Sequence, residues 1–149
     1  MTLPPVWNLF GKDHLPYRLL LLARMIDRQS ARDLQKHGFS LAEWRVLAFV
    51  GSAGPASASA IGKSGEIDRA EISRAVSKLE AKGLIERRPD ENHRKRFIIS
   101  PTEIGERVFR EVRDERRAFF RSVTAGLSQA EREAMDSGLE LMAANLTQD

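Results

Sequence analysis

Basic and hydroxyl side chains gather on one face of the segment between Asp68 and Gly83, which the sequence predicts to be a helix. Asp68 and a glutamate three residues later form a helix start signal, and Gly83 supplies the stop. The apolar residues of this segment fall on the opposite face. The polar face carries Arg69, Ser73, Arg74, Ser77 and Lys78. Because arginine can bond guanine through two parallel hydrogen bonds, serine can reach bases or phosphates, and lysine suits phosphate, this face is suited to a nucleic acid.

A basic hairpin is predicted directly after this helix. Two strand-like runs, 84–88 and 95–100, flank a polar, turn-rich tip at 89–94. Cations for a narrow minor groove are offered by Arg94, Lys95 and Arg96. Residues 69–96 hold nine Lys and Arg against five Asp and Glu, a net charge of +4, whereas the whole chain carries +3. Such local basicity is typical of a phosphate-binding surface, and a merely solvated charged face is the alternative.

The remaining elements are predicted to position this helix and hairpin. Ser-x-x-Glu patterns at Ser40, Ser100 and Ser128 predict capped helix starts, with Pro101 in a first helical turn. The helices predicted outside the basic segment are 16–37, 40–50, 57–64, 101–124 and one from 128 onward, with a loop at 51–55. Lys63, on the short helix, is a candidate for a backbone contact.

The predicted fold class is mainly α-helical with a small β wing. A winged helix-turn-helix unit at 40–101 is flanked by helical regions at 14–38 and 102–147, within one domain of residues 1–149. The first helix is apolar on more than one side, and the last carries a seam at the three-four spacing that helix pairs use. The seam residues are Met135, Leu139, Met142 and Leu146. We therefore expect a homodimer joined through the flanking helices; the alternative is a three-helix bundle within a monomer.

Several classes of site and protein are not indicated by the sequence. The chain has no cysteine, which excludes disulfides, thiolate metal sites and cysteine-based redox sensing. The three histidines lie at no metal-ligand spacing, so neither a metal nor a cofactor is expected. Gly62-Lys63-Ser64 resembles the end of a phosphate loop, but Ser57 occupies the required glycine position. With no catalytic cluster, secretory signal or apolar run of membrane length, we expect a cytoplasmic protein that is not an enzyme.

A small-molecule pocket is a second hypothesis. Arg18 stands in an apolar run beside Tyr17 and near His14, and Trp44 opens the next helix. A carboxylate ligand is best held by a fixed cation beside aromatic surface, so these four residues are candidates for binding an aromatic acid or phenol. In the alternative, Trp44 belongs to the core and Arg18 reaches solvent or pairs with an acid such as Asp13.

The stretch Leu79-Glu80-Ala81-Lys82-Gly83-Leu84-Ile85-Glu86-Arg87 and the basic wing after it resemble the MarR family of winged helix-turn-helix transcription regulators. The order of elements from 16 to 146 is similar as well. In this family the wing usually reads Asp-x-Arg, five residues, then Leu-Thr-x-x-Gly. Thr102 and Gly105 match, whereas His93, Lys95 and Pro101 replace the Asp, the Arg and the Leu. The wing stays cationic but lacks the usual Asp-to-Arg brace.

The resemblance implies a homodimer bound to a palindromic operator in double-stranded DNA. Recognition helices would enter successive major grooves, and wings would reach the flanking minor grooves. Many family members are repressors released by small phenolic or aromatic-acid ligands, which implies the same effector class here. The alternative function is a protein-binding winged-helix module without DNA binding. Affinity that falls steeply with salt would favour DNA.

Overall fold

The computed structural model describes residues 3–9, 14–64 and 67–147. These residues divide into two compact units, with the boundary between Arg110 and Glu111. After a short 3-10 turn at Pro5–Asn8, the elements are α1 (Leu15–Gln35), α2 (Leu41–Ala53), β1 (Ala56–Ser57), α3 (Ala58–Gly62), α4 (Arg69–Ala81), β2 (Ile85–Asp90), β3 (His93–Pro101), α5 (Glu103–Val123) and α6 (Gln129–Leu146). The predicted fold class, mainly helical with a small wing, is confirmed.

Helix α4 begins and ends where the sequence predicts. The Asp68 carboxylate accepts a hydrogen bond from the backbone N–H of Glu71 at 2.8 Å. Gly83 follows the last turn at a φ of +71°, a left-handed conformation that glycine adopts without steric cost. Between these caps Ile72, Ala75, Val76 and Leu79 are buried, which confirms the predicted core face.

Two predicted helix starts differ from the structure. The Ser40 hydroxyl accepts from the Glu43 N–H at 3.1 Å, but the Glu43 carboxylate binds Lys82 at 2.6 Å, so the predicted box forms only in part. The box predicted at Ser100 is wrong, because β3 continues through Pro101, which pairs with Ile85. At Ser128 the full capping box is present.

Two predicted loops are also shorter than expected. Helix α2 continues to Ala53, so the loop predicted from residue 51 begins only at Gly54, whose φ is +87°. The wing tip consists of residues 91 and 92 alone, where the Asn92 N–H donates to the Asp90 carboxylate at 2.9 Å. Strand pairing extends further than the polar sequence of 89–94 suggested, since Pro89 lies in β2 opposite Phe97.

The three strands form an antiparallel sheet in the order β1-β3-β2. Strand β1, which the sequence analysis did not predict, pairs Ala56 with Ile99. On the other side of β3, Arg87 lies opposite Ile99. The wing is thereby attached to the start of α3 as well as to the end of α4.

Thr102 joins the end of the wing to the end of α4. Its backbone N–H donates to the Leu84 carbonyl at 3.0 Å, and its hydroxyl donates to the Gly83 carbonyl at 2.6 Å. The same hydroxyl accepts from the Gly105 N–H at 3.0 Å and so caps α5. A Cβ on Gly105 would stand 1.9 Å from the Leu84 oxygen, so this approach of α5 requires glycine. The Thr-x-x-Gly motif therefore connects the wing, the end of α4 and the start of α5.

The second unit contains the end of α5 and the whole of α6. Arg132 donates to the carbonyl and hydroxyl oxygens of Thr124 at 2.8 and 2.9 Å, which ties α6 to the turn at Gly126. Along α6, Leu139 and Leu146 are 43% and 87% exposed. In the first unit, Leu15 and Leu20 of α1 are also exposed. No helix among the described residues has both the length and the apolar character that crossing a membrane requires.

Candidate nucleic-acid interface

Helix α4 presents its predicted polar face to solvent. Arg69, Ser73, Arg74, Ser77 and Lys78 are all exposed. Within the part of the chain that the structure describes, no hydrogen bond or ion pair engages the Arg69 or Arg74 guanidinium. Both side chains can therefore bind an external anion without first breaking an internal pair.

An open cleft of about 790 Å³ lies between α3, α4 and the wing. Its cationic side chains are Lys63, Arg69, Arg87, Lys95 and Arg96. Its apolar surface comes from Ile72, Val76, Phe97 and Ile99. Five of the nine predicted DNA-binding residues line this concave surface, whereas Arg74, Ser77, Lys78 and Arg94 lie outside its lining. Phe97, which is 54% exposed, was not predicted as part of this surface.

The wing continues the positive surface beyond the cleft. Arg94, Lys95 and Arg96 are exposed at the tip end of β3. At the wing root, Arg87 pairs with Glu80 of α4 at 2.5 Å, and Arg88 pairs with Glu86 at 2.7 Å. The Arg87–Glu80 pair links β2 directly to α4. It supplies a brace between wing and helix in a chain that lacks the usual Asp-to-Arg pair at the tip.

Lys63 and Lys78 differ from the other predicted cations in their surroundings. Lys63 follows the last turn of the short helix α3, is exposed and lines the cleft. The Lys78 ammonium lies 3.9 Å from the Glu43 carboxylate, at the limit of an ion pair, although its side chain is 67% exposed. Both ammonium groups are accessible from outside.

The four candidate pocket residues have partners of several kinds. The Arg18 guanidinium donates to the Trp7 carbonyl and to the Asn8 side chain, each at 3.2 Å, and lies 5.7 Å from the Trp7 ring centre. Trp44 stacks on Phe109 with ring centres 5.9 Å apart. His14 is exposed and Tyr17 is half-buried.

Asp13, the predicted rival partner of Arg18, lies outside the described residues. The observed partners of Arg18 are neutral groups, which sequence analysis did not anticipate. Among the described residues, no cluster of three or more His, Cys, Asp or Glu side chains could hold a metal ion.

Comparison with known proteins finds a family similarity in the middle part of this chain. Residues 37–96 match the sequence profile of the MarR family. A MarR/EmrR family transcriptional regulator from Acinetobacter sp. ADP1 has a similar fold, with a TM-score of 0.81, 25% identity, and coverage of 92% of this chain and 97% of that one. Over residues 37–96 the chain therefore resembles the MarR family. MarR-family proteins are transcription regulators and not enzymes.

Two further comparisons show how the similarity is distributed along the chain. YybA of Bacillus subtilis, an uncharacterized HTH-type transcriptional regulator, is 31% identical over 84 residues. That match spans 56% of this chain and 56% of YybA, or about half of each protein. The crystal structure of a mutant MarR from E. coli, complexed with operator DNA, has the same fold, with a TM-score of 0.77 and 17% identity over 94% of this chain and 99% of that one.

Proposed function

We propose that this protein is a transcription regulator that binds double-stranded DNA through α4 and the wing. The observation that carries the proposal is the cleft between α3, α4 and β3, where exposed cations from all three elements surround one concave surface. The operator complex of the E. coli MarR mutant, which has the same fold, supports it. The alternative, a protein-binding winged-helix module, would not need this concentration of cations.

The proposed roles follow from position and chemistry. Arg69, Arg74 and the serines between and after them lie along the exposed face of α4, where an inserted helix meets base edges in the major groove. Lys63 and Lys78 would neutralise phosphates beside that groove. The wing cations Arg94, Lys95 and Arg96 would lie along the minor groove, where negative potential is strongest when the groove is narrow.

We propose in addition that the protein acts as a homodimer on a palindromic operator. The apolar faces of α1 and α6 remain exposed in one chain, including Leu20 at 59% and Leu146 at 87%. A second copy would cover these faces, because isolated proteins seldom expose large contiguous apolar patches. Two recognition helices related by a two-fold axis would meet half-sites about 34–36 Å apart, or one turn of DNA. The dimerisation segments proposed are 14–38 and 102–147.

The test of DNA binding starts from DNA that the purified protein selects out of random fragments. Arg74→Ala is compared with the matched control Arg107→Ala, which removes an exposed arginine from helix α5. If Arg74 reads a base, we expect a loss of about 1–3 kcal/mol, concentrated at one operator position. If Arg74 binds phosphate, the loss is uniform over sequences and the salt slope falls by about 1. An unchanged isotherm for Arg74→Ala would show that α4 is misassigned.

The wild-type salt dependence separates the two candidate functions. Neutralisation of several phosphates predicts a linear fall of log K with log salt, with a slope of about −0.9 for each phosphate. A protein that selects no DNA, or whose binding to DNA ignores salt, would instead be a protein-binding module.

We propose, finally, that this protein is a repressor and that a small aromatic acid or phenol releases it from the operator by binding near Arg18. Because the described residues give the guanidinium only neutral oxygens, a carboxylate would replace the Asn8 amide and form a charge-assisted pair. Trp fluorescence and operator binding are followed while a panel of aromatic acids is titrated. Asn8→Ala should strengthen the response and Arg18→Ala should remove it. A response in Arg18→Ala equal to that of the wild type would rule out this pocket.

A further inference from the structure

One buried carboxylate lies close to two lysine ammonium groups at the C-terminal end of α4. Glu43, in the first turn of α2, has a side chain only 4% exposed. Its Oε2 accepts a hydrogen bond from the Lys82 Nζ at 2.6 Å. Its Oε1 lies 3.9 Å from the Lys78 Nζ, too far for a hydrogen bond. Lys78 and Lys82 stand one turn apart on the same side of α4, so both ammonium groups reach the same acid.

The two lysines are held very differently. The Lys82 Nζ also donates to the Gly38 carbonyl at 2.6 Å and lies 5.2 Å from the centre of the Phe39 ring. Three groups therefore fix Lys82, and its charge cancels that of Glu43. Among the described residues, the long contact with Glu43 is the one ion pair of Lys78, and its side chain is 67% exposed. As a result, the Lys78 charge is available to a phosphate while the Lys82 charge is not.

We propose that Lys82 is a positioning residue for DNA binding, which neutralises Glu43 and thereby leaves Lys78 free to bind phosphate. The inference rests on the proposed function. A buried carboxylate that loses its partner is strongly destabilising until another cation reaches it. Lys78 is already 3.9 Å from that carboxylate. Without the Lys82 ammonium, Lys78 turns inward, closes to hydrogen-bonding distance, and is withdrawn from DNA.

The test measures operator affinity against salt for Lys82→Met, which keeps a flexible side chain over Phe39 but removes the ammonium. We expect the salt slope of Lys82→Met to fall by about 0.9, the value for one lost phosphate contact. At 0.15 M salt this corresponds to roughly fivefold weaker binding. Lys78→Met should show the same loss, and the double variant should be no worse than either single variant. Lys36→Met is the matched control, because Lys36 is an exposed lysine paired with Asp33 on α1, and it should keep the wild-type slope.

The double variant Glu43→Gln/Lys82→Met separates this role from a merely structural one. With no buried charge left to capture Lys78, its salt slope should return to that of the wild type. Lys82→Gln provides a second test if Lys82→Met unfolds, because an amide can still donate to Glu43 and Gly38 while carrying no charge. Its slope should also fall by about 0.9.

Three results would overturn the inference. The first is a wild-type salt slope in Lys82→Met or Lys82→Gln. The second is that the affinity losses of Lys78→Met and Lys82→Met add in the double variant. The third is a salt slope that does not recover in Glu43→Gln/Lys82→Met. The wild-type isotherm keeps the two proposals distinct. A wild-type protein that binds no DNA overturns the proposed function together with this inference, whereas salt-dependent wild-type binding with an unchanged slope in the Lys82 variants overturns the inference alone.

Discussion

Replacement of Gly105 by alanine should disrupt the joint between the wing and the flanking helix α5. The added Cβ would stand 1.9 Å from the Leu84 carbonyl oxygen and 2.8 Å from its carbon. Both are backbone atoms, so no side chain can rotate out of the way. The carbonyl must instead move by more than about 1 Å to restore an ordinary contact of roughly 3.2–3.5 Å.

The cost of that movement follows from what the Leu84 carbonyl binds. It accepts the Thr102 N–H at 3.0 Å, next to the Gly83 carbonyl that accepts the Thr102 hydroxyl at 2.6 Å. Overpacking of a well-packed site typically costs about 1–3 kcal/mol. Each strained or broken hydrogen bond adds about 1 kcal/mol. We therefore expect Gly105→Ala to lower the free energy of unfolding by about 3 kcal/mol.

Urea unfolding followed by far-UV circular dichroism measures this loss. Gly62→Ala is the matched control in the same unit, because its added Cβ would lie 3.4 Å from the flexible end of Ile72. At a helical position that substitution should be neutral or stabilise by up to about 1 kcal/mol. If Gly105→Ala loses less than about 0.5 kcal/mol, the usual range for harmless surface changes, the close approach of α5 to Leu84 is wrong.

Three other outcomes are expected. Gly51→Ala would place a Cβ 2.6 Å from the Phe109 ring, so it should lower the free energy of unfolding in urea by about 1–3 kcal/mol. A stability equal to that of Gly62→Ala would contradict the packing of α5 on α2. Leu139→Asp should lower the dimer population measured by light scattering, and a monomeric wild type at micromolar concentration would contradict the proposed dimer. The Ser128 hydroxyl, and then the Ser128 backbone N–H, donate hydrogen bonds to the Glu131 carboxylate and hold its pKa below the ordinary value. The stability that Glu131 contributes is thus present at neutral pH and lost as pH falls through that lowered pKa. Glu131→Gln should therefore flatten the acid side of a plot of unfolding free energy against pH. An unchanged plot would contradict this role of the capping box.

Local patterns were sufficient to predict α4 almost to the residue. Its caps, Asp68 and Gly83, act within one turn, and its core face depends on a period of 3.6 residues, so no distant part of the chain is needed to recognise either. The same pattern placed the exposed cations correctly, because a buried face defines the opposite one. The same kind of local pattern gave a wrong prediction where a segment with helix-start residues pairs in the sheet. Ser100 and Pro101 have the composition of a helix start, but pairing with β2 determines their conformation.

Ion pairs between residues far apart in the sequence could not be predicted, for a different reason. Glu43 reads as part of a capping box, and nothing within one turn reveals that its carboxylate meets a lysine 39 residues later. Glu80 and Arg87 likewise look like solvated charges until the turn at Gly83 brings β2 back beside α4. The sign of a charge is visible in the sequence, whereas its availability depends on which opposite charges the fold brings to it. The cations Arg69 and Arg74 therefore look the same in sequence as Lys82, although only the first two are free to bind DNA among the described residues.

Three of the polar contacts that hold α4 lie at its C-terminal end. Lys82 ties that end to the start of α2, Thr102 ties it to α5, and Glu80 ties it to the wing. At the opposite end, within the described residues, the Asp68 cap holds the first turn and Ile72 is buried beneath it. In helix-turn-helix proteins the first turns of the recognition helix enter the major groove, and the first turns of α4 carry the exposed Arg69 and Ser73. The turn at Gly83 thus lies where α2, α5 and the wing all contact one end of α4, so a substitution there should disturb all three contacts at once.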